Sequence, residues 1–245
     1  MYPFLFTIGL AAGVLWLSLI EPAVRNEKES DVDARLQRLD AALATIAGAL
    51  LLSRLSFVAL HWTQYQKNPG SIFALWQGGL TAWGGALGAL IGLGLYCGIR
   101  GRICWQTADS LAIAGSLVAM ALWLGSLLEG YAYGRAAPAS PFAWPAPDLL
   151  GQIKPRWPTQ SIGALVSIGL LTLGYYGRES GWRAGLASLL IWHGQALTLL
   201  ILSWLRADPV RYFDGLRSDT LGAGLMLLMG LVLFIYWFSA GELER

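Results

Sequence analysis

The sequence predicts an all-α polytopic membrane protein with seven transmembrane helices, forming one integral membrane domain over residues 1–245. Three observations predict it. First, 56% of the 245 residues are apolar and only 13% are charged, half of the roughly one quarter usual in soluble chains. Second, apolar runs approaching the ~20 residues that a membrane-crossing helix needs recur along the chain. Third, there are 12 Trp and 30 Gly; spanning helices use Gly for close packing, and Trp gathers at membrane interfaces. This composition excludes a soluble enzyme, a disordered tail and a dominant nucleic-acid binder. The net charge of +2 points to no acidic partner.

Taken in order, the first span is Phe4–Ile20, closed by Glu21-Pro22. No basic residue precedes it, whereas a secretory signal has a positive n-region and a small-residue cleavage site, so it reads as a retained span. A charged stretch from Arg25 to Asp40 leads through Leu36, Leu39 and Leu43 into the second span, Ala41–Leu60. His61 to Gly70 is a polar loop with Pro69-Gly70 as its turn signal. The third span runs from Ile72 to Ile99 and ends at Arg100-Gly-Arg102. The fourth is Ala108–Leu128. Residues 129–160 hold six of the ten prolines, and form a long extracytoplasmic loop too polar for lipid. Spans five, six and seven follow at Ser161–Tyr176, Leu186–Leu205 and Thr220–Phe238. Arg25, Lys28, Arg35 and Arg38 after the first span favour an outside N-terminus, although the bias summed over all loops is slight. Cys97 and Cys104 form neither a disulfide framework nor a metal-ligand spacing.

Several residues inside the spans have two readings. A buried arginine costs at least about 2.5–3.5 kcal/mol on insertion scales, so Arg54 faces a wet or anionic site or snorkels to the interface. Glu129 reads as a solvated helix end before a catalytic group. His193, beside Gly194-Gln195, reads as a hydrogen-bonding group between helices before a proton relay. Gly84, Gly88 and Gly92 recur every four residues and make a face without side chains, which suits tight helix packing. Alternatively, Gly78-Gly79 and Gly84-Gly85 let a lipid headgroup meet exposed backbone.

The segment Asn68-Pro-Gly-Ser-Ile-Phe-Ala-Leu-Trp-Gln-Gly-Gly-Leu-Thr-Ala-Trp-Gly-Gly85 closely resembles a signature of bacterial prolipoprotein diacylglyceryl transferases. That signature reads N-P, then I-F-x-x-W-x-G-G, three residues, H or Y, and G-G. Ser53-Arg-Leu-Ser-Phe-Val58 resembles the family's A-R-L-x-Y-V, and Trp62 and Tyr65 fit its W-x-x-Y. From Ala108-Asp109 to Tyr133-Gly134-Arg135 the chain aligns without gaps to the family's fourth core helix. Lys154-Pro-Arg-Trp-Pro-Thr-Gln160 is similar to its R-H-P-S-Q segment, and Tyr2 and Gly9 match its first span. The resemblance implies a bacterial inner-membrane protein that uses no metal or organic cofactor. It implies phosphatidylglycerol as lipid and a preprolipoprotein as acceptor, its lipobox thiol taking the diacylglyceryl group while glycerol phosphate leaves. Arginine suits such a site because its fork binds phosphate bidentately and stays charged.

The pattern also breaks. Arg156 keeps the arginine of R-H-P-S-Q, followed by Trp157 in place of His. In the stretch that the family writes G-R-x-G-N-x-x-N-G-E, Trp123 replaces the arginine, Ser126 and Glu129 the asparagines, and Tyr131 the glutamate. Trp83 stands where the family has His or Tyr, and no charge lies between Arg183 and Arg206, where the family's sixth span has an arginine and a glutamate. Losing a donor at the leaving group of a transition state costs about 3 kcal/mol, roughly a hundredfold. These losses favour a catalytically degenerate relative acting as a phospholipid-binding or accessory subunit among other membrane proteins. Its headgroup contacts would come from Arg156, Arg54, Arg135, Gln160, Gly78, Gly79, Gly84 and Gly85. The alternative is an active transferase with a rebuilt site, Arg156 its catalytic group beside Arg54.

Overall fold

The computed structural model describes residues 2–17, 31–74, 78–101 and 104–242. The end of the expected first span with Glu21-Pro22, the charged residues Arg25 and Lys28, the signature's Trp76, and Arg102 lie outside the described residues. Among the described residues eight α-helices run α1 (Tyr2–Leu15), α2 (Asp31–Leu60), α3 (Trp62–Tyr65), α4 (Ala82–Ile99), α5 (Trp105–Glu129), α6 (Thr159–Glu179), α7 (Leu186–Leu205) and α8 (Ser218–Glu242). Two antiparallel hairpins interrupt them, β1 (Trp144–Pro147) with β2 (Ile153–Arg156), and β3 (Tyr212–Phe213) with β4 (Leu216–Arg217). The protein is therefore helical with two short hairpins. Five described helices are long and apolar enough to cross a membrane, over Leu36–Leu60, Ala82–Ile99, Trp105–Glu129, Leu186–Leu205 and Ser218–Ala240. The expected start of the third span is corrected. Pro69–Phe73 is a 3₁₀ turn, and helix resumes only at Ala82. Gly78 and Gly79 adopt φ of +78° and +81°, a left-handed conformation that ends any helix attempted from Ile72.

The chain divides into two units. One comprises residues 23–107. Its core is α2 against α4, joined where the glycines allow backbone to meet backbone. A Cβ on Gly48 would strike the Gly88 carbonyl, and one on Gly92 would strike the carbonyl of Ala44. The every-fourth-residue glycine stripe is thus a packing face, as small residues commonly are between membrane helices.

The other unit comprises residues 1–22 and 108–245. Gly9 and Gly13 of α1 lie on Ala121 and Ala114 of α5. Gly194 of α7 receives Leu170 of α6, and Gly230 of α8 receives Trp192 and His193. Trp192 donates its indole N–H to the Met226 carbonyl at 2.7 Å, and Trp237 donates to Ala184 at 2.7 Å. His193 spends Nδ1 on the Leu189 carbonyl at 2.7 Å and packs against α8, a structural setting. Asp109, buried in α5, accepts the backbone N–H groups of Gly185 and Ser188 at 2.8 and 2.7 Å. It caps the start of α7 from another helix, supplying the acceptor that a helix N-terminus needs.

Candidate functional site

At the end of α5 the chain turns through Gly130 (φ +69°) and Ala132 (φ +53°) into an extended strip, residues 133–137. One edge of the strip pairs with the stretch after α7: Arg135 N–H donates to Leu205 at 2.7 Å and Ala207 N–H to Tyr133 at 2.9 Å. The other edge pairs with the end of β2, where Ala137 N–H donates to Pro155 at 2.9 Å and Trp157 N–H to Arg135 at 3.1 Å. The start of α6 fastens the turn. Thr159 Oγ1 donates to the Ala132 carbonyl at 2.7 Å, and Gln160 Nε2 donates to the Tyr131 carbonyl at 2.8 Å. Five of the expected site residues, Tyr131, Arg135, Arg156, Trp157 and Gln160, are brought together here. Gln160 serves the backbone and Arg135 is exposed.

Arg156 is 5% exposed. Its Nη2 donates to Asp148 Oδ2 at 2.9 Å, its Nη1 reaches the Gly134 carbonyl only at 3.4 Å, and its guanidinium lies 4.7 Å over the Tyr133 ring. Its Nε is buried without a hydrogen-bond partner among the described residues, a loss of about 1–3 kcal/mol for an unsatisfied group. Asp148 Oδ1 accepts the N–H groups of Leu150 and Gln152 at 3.0 and 2.9 Å, which fixes the β1–β2 turn. The Gln152 N–H lowers the Asp148 carboxyl below its usual range, against some burial. The Leu150 N–H and the charges of Arg156 and Lys154 add to the lowering.

A second charged group borders the strip at Arg206, which bridges to Gly134. Arg206 engages Asp208 through Nε and Nη2 at 2.8 and 2.6 Å, and Arg217 engages the same carboxylate at 3.0 Å. Asp219 stands 3.4 Å from both arginines. Two cations thus meet two carboxylates, so the charges balance as buried ions require, although the Nε of Arg217 is buried without a hydrogen-bond partner among the described residues. Sequence reasoning counted these only as loop charges and missed Asp148, Asp208, Arg217 and Asp219. The available signal was Asp214-Gly215 between apolar residues, which marks the β3–β4 hairpin holding Arg217.

The replaced positions other than Trp83 fall around the same turn. Trp123 is 8% exposed and packs with Ala132, Ala164 and Leu202; a Cβ on Gly163 would strike its indole. An apolar ring therefore fills the place where the resemblance puts an arginine. Ser126 donates back to Leu122 at 2.9 Å within its own helix, Glu129 ends α5 half-buried, and Tyr131 is exposed. Trp157 closes over Gly134, whose missing side chain lets the two backbones meet.

The remaining candidates belong to the unit of residues 23–107. Arg54, 4% exposed, neither snorkels nor faces open space. Its Nε donates to Ile72 at 2.8 Å, Nη1 to Gly78 and to Gly79 at 3.1 Å, and Nη2 to Ser71 at 2.7 Å and Ala74 at 3.3 Å. A crown of five carbonyls, with the Tyr65 ring 5.3 Å away, takes the whole guanidinium. Gly79 lies against Phe57 and Arg54, and Gly84 against Ser56 and Thr81, whereas Gly78 has open space and Gly85 only ordinary contacts. Trp83 holds its indole N–H buried and unpartnered among the described residues. No group of three His, Cys, Asp or Glu suited to a metal occurs among the described residues.

Helices of this length and apolarity, with charged groups gathered at the end of one helix bundle, define a multi-pass membrane protein. The family model for prolipoprotein diacylglyceryl transferase matches residues 1–236, and the chain belongs to that family. It is 28% identical over 243 residues to the phosphatidylglycerol–prolipoprotein diacylglyceryl transferase of Lactococcus lactis subsp. cremoris, covering 95% of this chain and 88% of the relative. The enzymes of the same description from Leptothrix cholodnii and Symbiobacterium thermophilum are 29% and 28% identical. Each match covers 80% of this chain and 75% of the relative.

Proposed function

We propose that the chain moves the diacylglyceryl group of phosphatidylglycerol to the lipobox cysteine of a preprolipoprotein, with Arg156 receiving the phosphate. Its buried, half-engaged guanidinium is the observation that carries this reading, since it offers a fixed cation with a donor still to satisfy. The acceptor sulfur attacks the glyceryl carbon that bears the phosphate ester oxygen. The S–C bond forms as the C–O bond breaks, the electron pair leaves with glycerol phosphate, and the thiol proton is released. Arg156 opposes the negative charge that grows on the leaving phosphate, a role that forked, permanently charged donors perform best. No other described arginine stands at the position of Trp123, so the reaction runs with one cation fewer, about a hundredfold slower than with both. In this reading α1 and α6 also cross the inner membrane, giving seven spans with the N-terminus outside.

A second reading has its own observation. The indole of Trp123, buried among Ala132, Ala164 and Leu202, suits a phospholipid-binding or accessory subunit that retains lipid and transfers nothing. Expression in cells depleted of their own transferase separates the two. Lipid modification of a reporter preprolipoprotein supports transfer, whereas bound phospholipid without modification supports the second reading.

A further inference from the structure

Two carboxylates in one unit treat their arginines differently. Asp208 engages Arg206 with both oxygens, filling the Nε/Nη2 edge at 2.8 and 2.6 Å. Asp148 gives Arg156 only Oδ2, because Oδ1 is held by the N–H groups of Leu150 and Gln152. The corresponding edge of Arg156 is therefore half used, and its Nε–H, like that of Arg217, is buried with no acceptor among the described residues. Tyr133 covers one face of the guanidinium, which leaves the edge as the surface for a ligand. The turn that carries Asp148 is open at its tip. Leu150 is 85% exposed, and a side chain at Gly151 would meet nothing within 4 Å. The carbonyl of Asp148 rests on Gly130, so the backbone there stays anchored while the carboxylate and the tip rearrange.

We infer that Asp148 is a placeholder on an oxyanion site at the Nε/Nη2 edge of Arg156, displaced when a phosphodiester or phosphate brings two oxygens to that edge. The inference rests on the reading that Arg156 receives the lipid headgroup. A phosphate group matches the fork with two parallel charge-assisted bonds, where Asp148 makes one. The displaced carboxylate moves out with an exposed turn and is rehydrated. A lipid headgroup and free phosphate share this chemistry.

The test uses the full chain in nanodiscs of phosphatidylcholine with a fixed fraction of phosphatidylglycerol, and measures phosphatidylglycerol retained per protein after extraction. Asp148→Asn keeps an acceptor for the turn and removes the competing charge. It is expected to raise retention about five- to tenfold, an energy shift of the size one hydrogen bond supplies. Arg156→Ala is expected to lower retention, and the double variant to match Arg156→Ala. Inorganic phosphate titrated against the lipid-loaded protein identifies the source. Competition assigns the edge to phosphate groups in general, and no competition assigns it to the lipid alone. Wild-type retention in Asp148→Asn, with Arg156→Ala still lowering it, overturns the placeholder. Equal retention in wild type and Arg156→Ala overturns the headgroup reading beneath it. Asp148→Ser serves the same purpose if Asp148→Asn does not fold. Failure of both to fold makes the ion pair a structural support and overturns the proposal.

Discussion

The buried Arg54 and Arg156 and the half-buried Arg206 have three different partners: carbonyls, half a carboxylate, and a whole carboxylate. The carbonyl crown makes Arg54 an organiser of Ser71, Ile72, Ala74, Gly78 and Gly79. Lysine carries the same charge but has three donors on one atom, too few and too clustered for five carbonyls. Arg54→Lys is expected to destabilise the protein by about 2–3 kcal/mol, read as a lowered thermal midpoint in detergent; an unchanged midpoint contradicts the crown's role. At Asp148 the folded carboxyl titrates below its unfolded value, near 3.9 for an ordinary aspartate. Its stabilisation is then fully present above about pH 4 and is lost as pH falls through the lowered folded value. The thermal midpoints of wild type and Asp148→Asn should differ by a constant amount from pH 5 to 9 and converge only below pH 4. Convergence near neutrality would show that the carboxylate is not held ionised by its turn. None of these pairings was legible in the sequence, because residues such as Asp148 and Arg156 are joined by a hairpin turn that the prolines concealed as a loop.

At the level of elements, the apolar runs were legible and their boundaries less so. The expected second, fourth and sixth spans match α2, α5 and α7, although α2 begins ten residues earlier, at Asp31. The charged residues 31–40 continue the helix because Leu36 and Leu39 keep its periodicity. The third span failed at its start, since Ile72, Phe73 and Leu75 read as apolar helix while Pro69, Gly78 and Gly79 fix a turn around Arg54. The glycine stripe divides by packing. A side chain at Gly88 would strike the Gly48 carbonyl, whereas one at Gly94 would meet nothing within 4 Å. Gly88→Leu is expected to cost about 1–3 kcal/mol or more through overpacking, while Gly94→Leu stays within about 0.5 kcal/mol. Equal midpoints for the two variants would contradict the α2–α4 packing.

For the molecule as a whole, the family was legible in the third-span signature and in Lys154–Gln160, and the match over residues 1–236 bears it out. Whether the chain transfers or only binds lipid was not legible, because replaced polar positions show what is missing and not what takes over. The structure supplies both sides: an indole in the hydrophobic cluster at Trp123, and a buried cation with a spare donor at Arg156. The most direct measurement is the fraction of a reporter preprolipoprotein carrying a diacylglyceryl group in transferase-depleted cells that express this chain or its Arg156→Ala variant. Modification by the wild type, reduced about a hundredfold in the variant, is the expected result. An unmodified reporter with the wild-type protein present in the membrane would contradict transfer by this chain.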